Sequence, residues 1–356
     1  MSRLDSLRSK FDAAGIDALY VSNLVNVRYL TGFTGSTALL FVTRTGAHLF
    51  VDSRYWVQAA QQVSEAKIVN CNTRLVAEAL EAVKAMSIPR LGFEAGHLTV
   101  EGRDHVAEAL PDVELVSTSG MVERLRLVKD AGEVAVIRRA CALVDDLFQY
   151  IQAFLKPGVR EVDIALELEY QMRKRGAEAV GFASIIGSGE NGAKPHAGAS
   201  DRALQDGDFV TMDYGARVDG YNSDITRTVA IGHVTDKQIA VYNTVLEAQK
   251  AAAAALRPGL SCVAADAVAR DIIRDAGYGD YFGHGLGHSL GMDVHDGARL
   301  SPAAAESERV QVGEVWTIEP GIYIPDWGGV RIEDDVLVTE NGPEILTKAP
   351  KELIVL

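Results

Sequence analysis

Four acids stand in two strand-like segments, the first of each pair at the same place in its segment. Asp213 and Asp224 lie in FVTMDYGARVDGYNSDITRTVAI, and Glu319 and Glu333 lie in VWTIEPGIYIPDWGGVRIEDD. Three of the eight histidines, His284, His288 and His295, fall in GHGLGHSLGMDVHD, and a fourth, His196, lies in AKPHAG. Four carboxylates in one cleft could not stay ionised without a counter-charge. Two divalent ions would cancel them. Carboxylate-rich ligation with one imidazole suits Mn, Co or Fe better than a structural zinc site. Two close ions can lower the pKa of a shared water and polarise a carbonyl, which is the chemistry of hydrolysis, most naturally of an amide.

The positioning of those acids rests on two hairpins. Asp219-Gly220 is a two-residue turn signal. With that turn, Val218 faces Tyr221 and Asp224 lies opposite Gly215, two residues from Asp213 and on the same face. Such diagonal neighbours sit roughly 7–8 Å apart, within reach of a shared ion. Gly215 is expected to leave room for it. In the second unit, a five-residue loop from Pro325 to Gly329 would place Glu333 opposite Gly321, two residues from Glu319. A one-residue slip in either register would point the acids the wrong way. In an extended chain His284 and His288 face one side. The glycines around them disfavour the helix of an HExxH zinc site.

These hairpins belong to an internal repeat. AFLKPGVREVDIALELEYQMRKRGAE aligns with AALRPGLSCVAADAVARDIIRDAGYG, with Pro157-Gly158 on Pro258-Gly259 and Gly176 on Gly277. Each copy reads as a Pro-Gly start, an amphipathic helix and a glycine stop. DGDFVTMDYG then resembles VGEVWTIEPG, so Asp213 matches Glu319. A duplicated scaffold is the plainer reading, but it does not explain an acid at the same place in each strand. Gly187-Ser-Gly189-Glu-Asn-Gly192 fits GxGxxG, yet Ala-Lys-Pro-His follows where a dinucleotide fingerprint needs a helix.

Upstream, strand-like Ala18 to Val21, Ala38 to Val42 and His48 to Val51 alternate with helical Tyr55 to Ser64 and Arg74 to Met86, the pattern of a small α/β domain. The strand-like VELVS gives way near Ser117 to Lys129 to a long helix, Ala131 to Leu155. The 356-residue length suits two domains. Hydrophobic residues make up 47%, enough for large cores, and the net charge of -14 argues against nucleic acid and anionic membrane as partners. Cys71, Cys141 and Cys262 have neither knuckle nor disulfide spacing. Leu4, Leu7 and Phe11 space like an amphipathic helix, not a signal peptide, and no stretch suits a bilayer span. The cytoplasm is the expected compartment.

DYG…YNSDITRT, GHGLGHSLGMDVHD, EPGIY and GGVRIEDD resemble the motifs of the pita-bread metallopeptidases. Within these the chain looks like the short bacterial Xaa-Pro peptidases, aminopeptidase P and prolidase. NVRYLTGFTGS and VDSRYW resemble that family's N-terminal domain. The resemblance implies an α+β protein: a small α/β creatinase-type domain, residues 1–124, then a pita-bread catalytic domain with an internal pseudo-two-fold repeat, residues 125–356. It implies two divalent metal ions, Mn first, with Co or Zn as alternatives. Asp213 would chelate one and His288 and Glu319 the other, with Asp224 and Glu333 bridging. Glu319 would also take the proton of the attacking water. His196 and His295 would contact the scissile carbonyl, His284 would line the proline pocket, Arg331 would stand on its proline side, and Tyr323 would support this shell. The implied substrates are proline-containing peptides, and the implied assembly is a homodimer. One departure is Ala-Gly-Ala-Ser after His196, where many relatives carry an aromatic residue.

The expected function is an Xaa-Pro aminopeptidase that also accepts dipeptides. A strict dipeptidase is the alternative and would need a positive group for the free carboxylate, for which Arg331 is the candidate. A metal-free creatinase-like amidinohydrolase, a non-catalytic binding protein and a methionine aminopeptidase compete less well. The first two lack the ligand set, and the third usually lacks such an N-terminal domain.

Overall fold

Alternation in the acid-bearing segments becomes strand, and the helices cover only one face of it. A computed structural model describes residues 1–356, and it divides into two units, Met1–Arg126 and Leu127–Leu356.

The first unit is a six-stranded sheet in the order Lys67–Asn70, Ala47–Val51, Leu39–Thr43, Ala18–Val21, Arg90–Glu94, Glu114–Thr118. The central strand pairs antiparallel with Leu39–Thr43 and parallel with Arg90–Glu94. Three strands and two helices of this unit lie where the alternation predicts, within a few residues at each end. Phe41 stacks on Tyr20 at 4.7 Å between ring centroids and meets Phe50 edge-on at 5.6 Å, which seats one face of the sheet on its helices. Leu4, Leu7 and Phe11 are buried, but they sit on two short helices, Arg3–Arg8 and Phe11–Ala14, not on one.

In the second unit the long helix runs Ala131–Ile151, opened by a reciprocal cap between Asp130 and Glu133. A short 3₁₀ turn, Gln152–Phe154, replaces its expected last turn. The repeat helices are Glu161–Lys174 and Cys262–Asp275, stopped by Gly176 and Gly277 with φ of 101° and 87°. Each packs with its hairpin. Val210, Met212 and Tyr214 join Leu168 and Met172 in one core, while Trp316 and Ile318 join Ala269 and Ile273 in another. Side chains alternate along a strand. The odd members, Thr211 and Asp213, and likewise Thr317 and Glu319, are therefore turned from the helices toward the opposite face.

The first hairpin has the expected register: Val218 pairs with Tyr221 and Ile225 with Tyr214, so Asp224 falls opposite Gly215. Asp219 and Gly220 both take positive φ, 46° and 89°, as a two-residue turn requires. Gly215 is not a metal vestibule, however. A Cβ there would lie 2.1 Å from the Ser223 carbonyl oxygen, so glycine serves the close approach of two backbones.

The second hairpin turns more tightly than expected. Ile324 pairs with Gly328, leaving only Pro325, Asp326 and Trp327 in the loop, and Asp326 adopts φ 59°. With Ile318 paired to Asp334, Glu333 falls directly opposite Glu319, not opposite Gly321. The shift is two residues, so the acids keep their face and come closer than the expected diagonal. GxGxxG becomes a strand, Ile185–Ser188, and a 3₁₀ turn, Gly189–Ala193. Its last glycine meets Gly329, where a Cβ would lie 2.1 Å from the Gly192 oxygen. No helix is long and apolar enough to cross a membrane.

Candidate active site

Between the two hairpins lies a cavity of about 710 Å³. Asp213, Asp224, His288, Glu319 and Glu333 line it, as do His196, His284, His295 and Arg331. Tyr323 does not line it. It sits one layer behind, buried, with its hydroxyl 2.9 Å from both His284 Nε2 and Arg331 Nη1.

The five candidate ligands do not all close on one point. Asp224, His288 and Glu333 offer atoms within 4.8 Å of one another, and all three are buried. His288 Nε2 also lies 3.6 Å from Glu319 Oε1 and 3.6 Å from Asp224 Oδ2. Asp213 stands slightly apart, its Oδ2 accepting from Arg331 Nη2 at 2.6 Å. Thr226 donates to Glu333 Oε2 at 2.6 Å, and Thr317 donates to Glu319 Oε1 at 3.4 Å. These hydroxyls fix two carboxylates without neutralising them.

The electrostatics are those of a site short of positive charge. Burial, then the neighbouring carboxylates, raises the pKa of Asp224 and Glu333 well above the ordinary range. Burial pushes Glu319 up to about 8. Burial, then His295 beside it, pushes His288 down to about 3, so its imidazole is neutral and fit to ligate. Asp213 Oδ1 and Asp224 Oδ1 are buried and accept no hydrogen bond from the protein. Orphaned carboxylate oxygens, clustered acids and a neutral imidazole are the donor set of a hard or borderline divalent cation. The residues fit such ions.

A prediction follows for the metal-free protein. A carboxylate whose folded pKa exceeds its unfolded value contributes stability below the unfolded pKa, and this is lost as pH rises through the folded one. For Glu319 that window runs from 4.5 to about 8. Chelated protein is therefore expected to melt at a lower temperature at pH 8 than at pH 5.5, and the drop should shrink in Glu319→Gln. Calorimetry checks this, and a drop of equal size in both proteins would place its origin elsewhere.

The rest of the cavity wall is built largely from loops. His284 Nδ1 faces the Gly285 carbonyl at 2.8 Å, and a carbonyl only accepts. Nδ1 therefore carries the hydrogen, and Nε2 accepts from the Tyr323 hydroxyl. Burial holds His284 down to about 4, so it offers a neutral ring face, flanked edge-on by Phe282 at 5.1 Å. Arg270 donates to the Phe282 and His284 carbonyls, and its partner Asp266 accepts from Leu286 N, which pins this loop to the helix Cys262–Asp275. His295 stands edge-on to His288 at 4.2 Å between centroids. His196 lines the same cavity as His284 and His295.

Arg331 is buried and fully engaged: it donates to Asp213, Thr226, Tyr323 and the Pro195 carbonyl. Burial opposes its charge, but Tyr323, Asp213, Glu319 and Glu333 hold its pKa above the ordinary arginine range. Sequence reasoning missed Arg299, which also lines the cavity. It is exposed, and its charge is felt at His288, His295 and Glu319. Only the pairing of His288 with Arg299 in a short antiparallel ladder brings it there. Phe182 and Ile185, also on the wall, were likewise not signalled.

Residues 135–340 match metallopeptidase family M24, and residues 3–128 match the creatinase/prolidase N-terminal domain. An Xaa-Pro dipeptidase of Pyrococcus furiosus is 38% identical over 99% of this chain and 99% of its own. Among solved structures, an Xaa-Pro dipeptidase from Bacillus anthracis superposes with a TM-score of 0.97 at 42% identity, covering 99% of both chains. An X-Pro aminopeptidase from Thermotoga maritima does so with a TM-score of 0.91 at 34% identity, covering 98% of this chain and 100% of its own.

Proposed function

This chain belongs to metallopeptidase family M24, and from that premise we propose that it is a metal-dependent peptidase hydrolysing the bond before proline, with Xaa-Pro dipeptides as its first substrates. The expected aminopeptidase becomes the second reading. Similarity supports this order, since the dipeptidases compared are 38% and 42% identical and the aminopeptidase 34%. The observation that carries it is Arg299. A dipeptide brings a free carboxylate into a cavity already rich in carboxylates, so it needs a cation there. Arg331, the expected candidate, is spent on Asp213, Thr226 and Tyr323. Arg299 is exposed and lines the same cavity.

Asp213, Asp224, His288, Glu319 and Glu333 would hold two divalent ions, Mn first, with Co or Zn as alternatives. Such ions supply a water of lowered pKa and a polarised carbonyl. Glu319 then takes the proton of the attacking water, for it is the most exposed of the five candidate ligands, its side chain 18% accessible while Glu333 is wholly buried. His196 and His295 hold the carbonyl oxygen as its charge grows. The proline nitrogen bears no hydrogen and must gain one to leave. The protonated Glu319 is placed to return it. The His284 ring, backed by Tyr323, forms a wall for the pyrrolidine.

The test compares Ala-Pro, Ala-Ala and Ala-Pro-Ala by kcat/KM with Mn bound. Ala-Pro is expected to be best, Ala-Ala poor. Arg299→Ala should raise KM for Ala-Pro by about 10-fold or more, the usual worth of a charge-assisted hydrogen bond, and leave Ala-Pro-Ala less affected. Equal losses on both would return the aminopeptidase to first place. Equal rates on Ala-Pro and Ala-Ala would reject proline specificity.

A further inference from the structure

Glu161 begins the helix Glu161–Lys174 and is wholly buried, yet no step above uses it. Its partners are all neutral, and they come from the two ends of one segment. At one end Ser188 donates to Oε1 through its backbone N at 2.7 Å and its hydroxyl at 2.6 Å, and Asn191 Nδ2 approaches both oxygens at 3.1 and 3.2 Å. At the other end Ser200 donates to Oε2 through its backbone N at 3.1 Å and its hydroxyl at 2.6 Å. The nearest cation, Arg202, is held off by one hydroxyl, its Nη1 donating to Ser188 Oγ at 2.6 Å, so direct hydrogen bonds must replace the hydration of the buried carboxylate. Here they do, and all of them serve the segment 188–200.

His196 is on the exposed middle of that segment. Its neighbour Pro195 offers a carbonyl to Arg331 Nη1 at 3.3 Å, and Gly192 lies backbone to backbone against Gly329 on the strand that carries Arg331. Between these supports and the two tied ends the segment has little freedom. An acid in the first turn of a helix ordinarily answers the helix dipole. Glu161 instead spends both oxygens on a loop whose tip lines the cavity.

We propose that Glu161 is a positioning residue for His196: its carboxylate ties both ends of residues 188–200 and so sets where the His196 imidazole stands over the substrate. This rests on the proposed function in that His196 must act on the carbonyl for turnover to report it.

The experiment uses Glu161→Gln and Ser200→Ala in the metal-loaded protein. Glutamine keeps the size but turns an NH2 against backbone and hydroxyl donors. Ser200→Ala removes one end of the tie and leaves the helix alone, which guards against a folding failure of the first variant. Both are expected to lower kcat on Ala-Pro more than they change KM. The loss should reach about 10²-fold in Glu161→Gln, the scale of a misplaced catalytic group. Metal content should not change. Combined with His196→Ala, neither should add a further loss, and amide hydrogen exchange should quicken in 188–200 alone. Additive losses, or wild-type turnover in both variants, would overturn the assignment. If wild-type protein cleaves no Xaa-Pro substrate, the functional reading fails separately. Exchange then decides the tie, and unchanged protection of 188–200 in both variants would refute it.

Discussion

Glu319→Gln is expected to leave the fold and the bound metal in place and to lower kcat by about 10²–10⁴-fold, the range of a lost general base. The substitution preserves shape, and the surroundings tolerate it. The only side-chain hydrogen bond at this carboxylate is the long one from Thr317, and its backbone N–H is already given to the Leu286 carbonyl. What disappears is the charge and the proton acceptor. KM for Ala-Pro should change far less than kcat, because the acceptor matters only as the water attacks. Metal analysis of the purified variant decides between two roles. Loss of turnover with full metal content assigns Glu319 to proton transfer. Loss of both together would reduce it to a ligand.

Asp224→Asn should act on the metal itself. Asp224 is 4% exposed, its Oδ1 has no partner in the protein, and its Oδ2 lies 3.6 Å from His288 Nε2. It also belongs to the one close group of candidate ligand atoms, with His288 and Glu333. An amide there keeps the volume and cancels a charge that burial and its neighbours already oppose. The metal-free variant is therefore expected to melt no lower than metal-free wild type. Added Mn should raise the wild-type melting temperature, since ligand at a hundred times its dissociation constant is worth about 2.7 kcal/mol. In the variant that gain should be largely gone, and turnover should fall on the order of 10²-fold or more, given that even groups behind metal ligands carry 10–100-fold. A variant that keeps its metal and its rate would remove Asp224 from the ligand set. Chelation of wild type supplies the parallel control, with activity lost and then restored by Mn or Co.

Much of this site is legible in the sequence. Period-2 alternation put Asp213 and Glu319 on the face opposite Met212 and Ile318, because a strand offers no third choice. Asp219-Gly220 fixed the first register, since only a turn with positive φ at both residues closes a two-residue hairpin with the right twist. The second register differs by two residues from the one the sequence suggests. Pro-Asp-Trp-Gly-Gly admits loops of several lengths, and only the packing of the strands Val315–Ile318 and Asp334–Thr339 chooses among them. The error did no harm to the face, because two is the period of the strand.

By itself, then, the sequence determined residue types, faces and the duplication that brings two acid pairs together, all of which follow from local geometry and repeat spacing. The tertiary structure alone decided how the cations are divided. The sequence offers Arg331 as the candidate for a substrate carboxylate, but the approach of four elements buries it among Asp213, Thr226, Tyr323 and Pro195. Arg299 reaches the cavity only through its pairing with His288, eleven residues earlier. Glu161, an ordinary first-turn acid in the sequence, meets Ser188 and Ser200 only because a loop returns to the helix. Partners of this kind are set by chain topology, and a one-dimensional pattern carries no term for the residue that arrives from elsewhere.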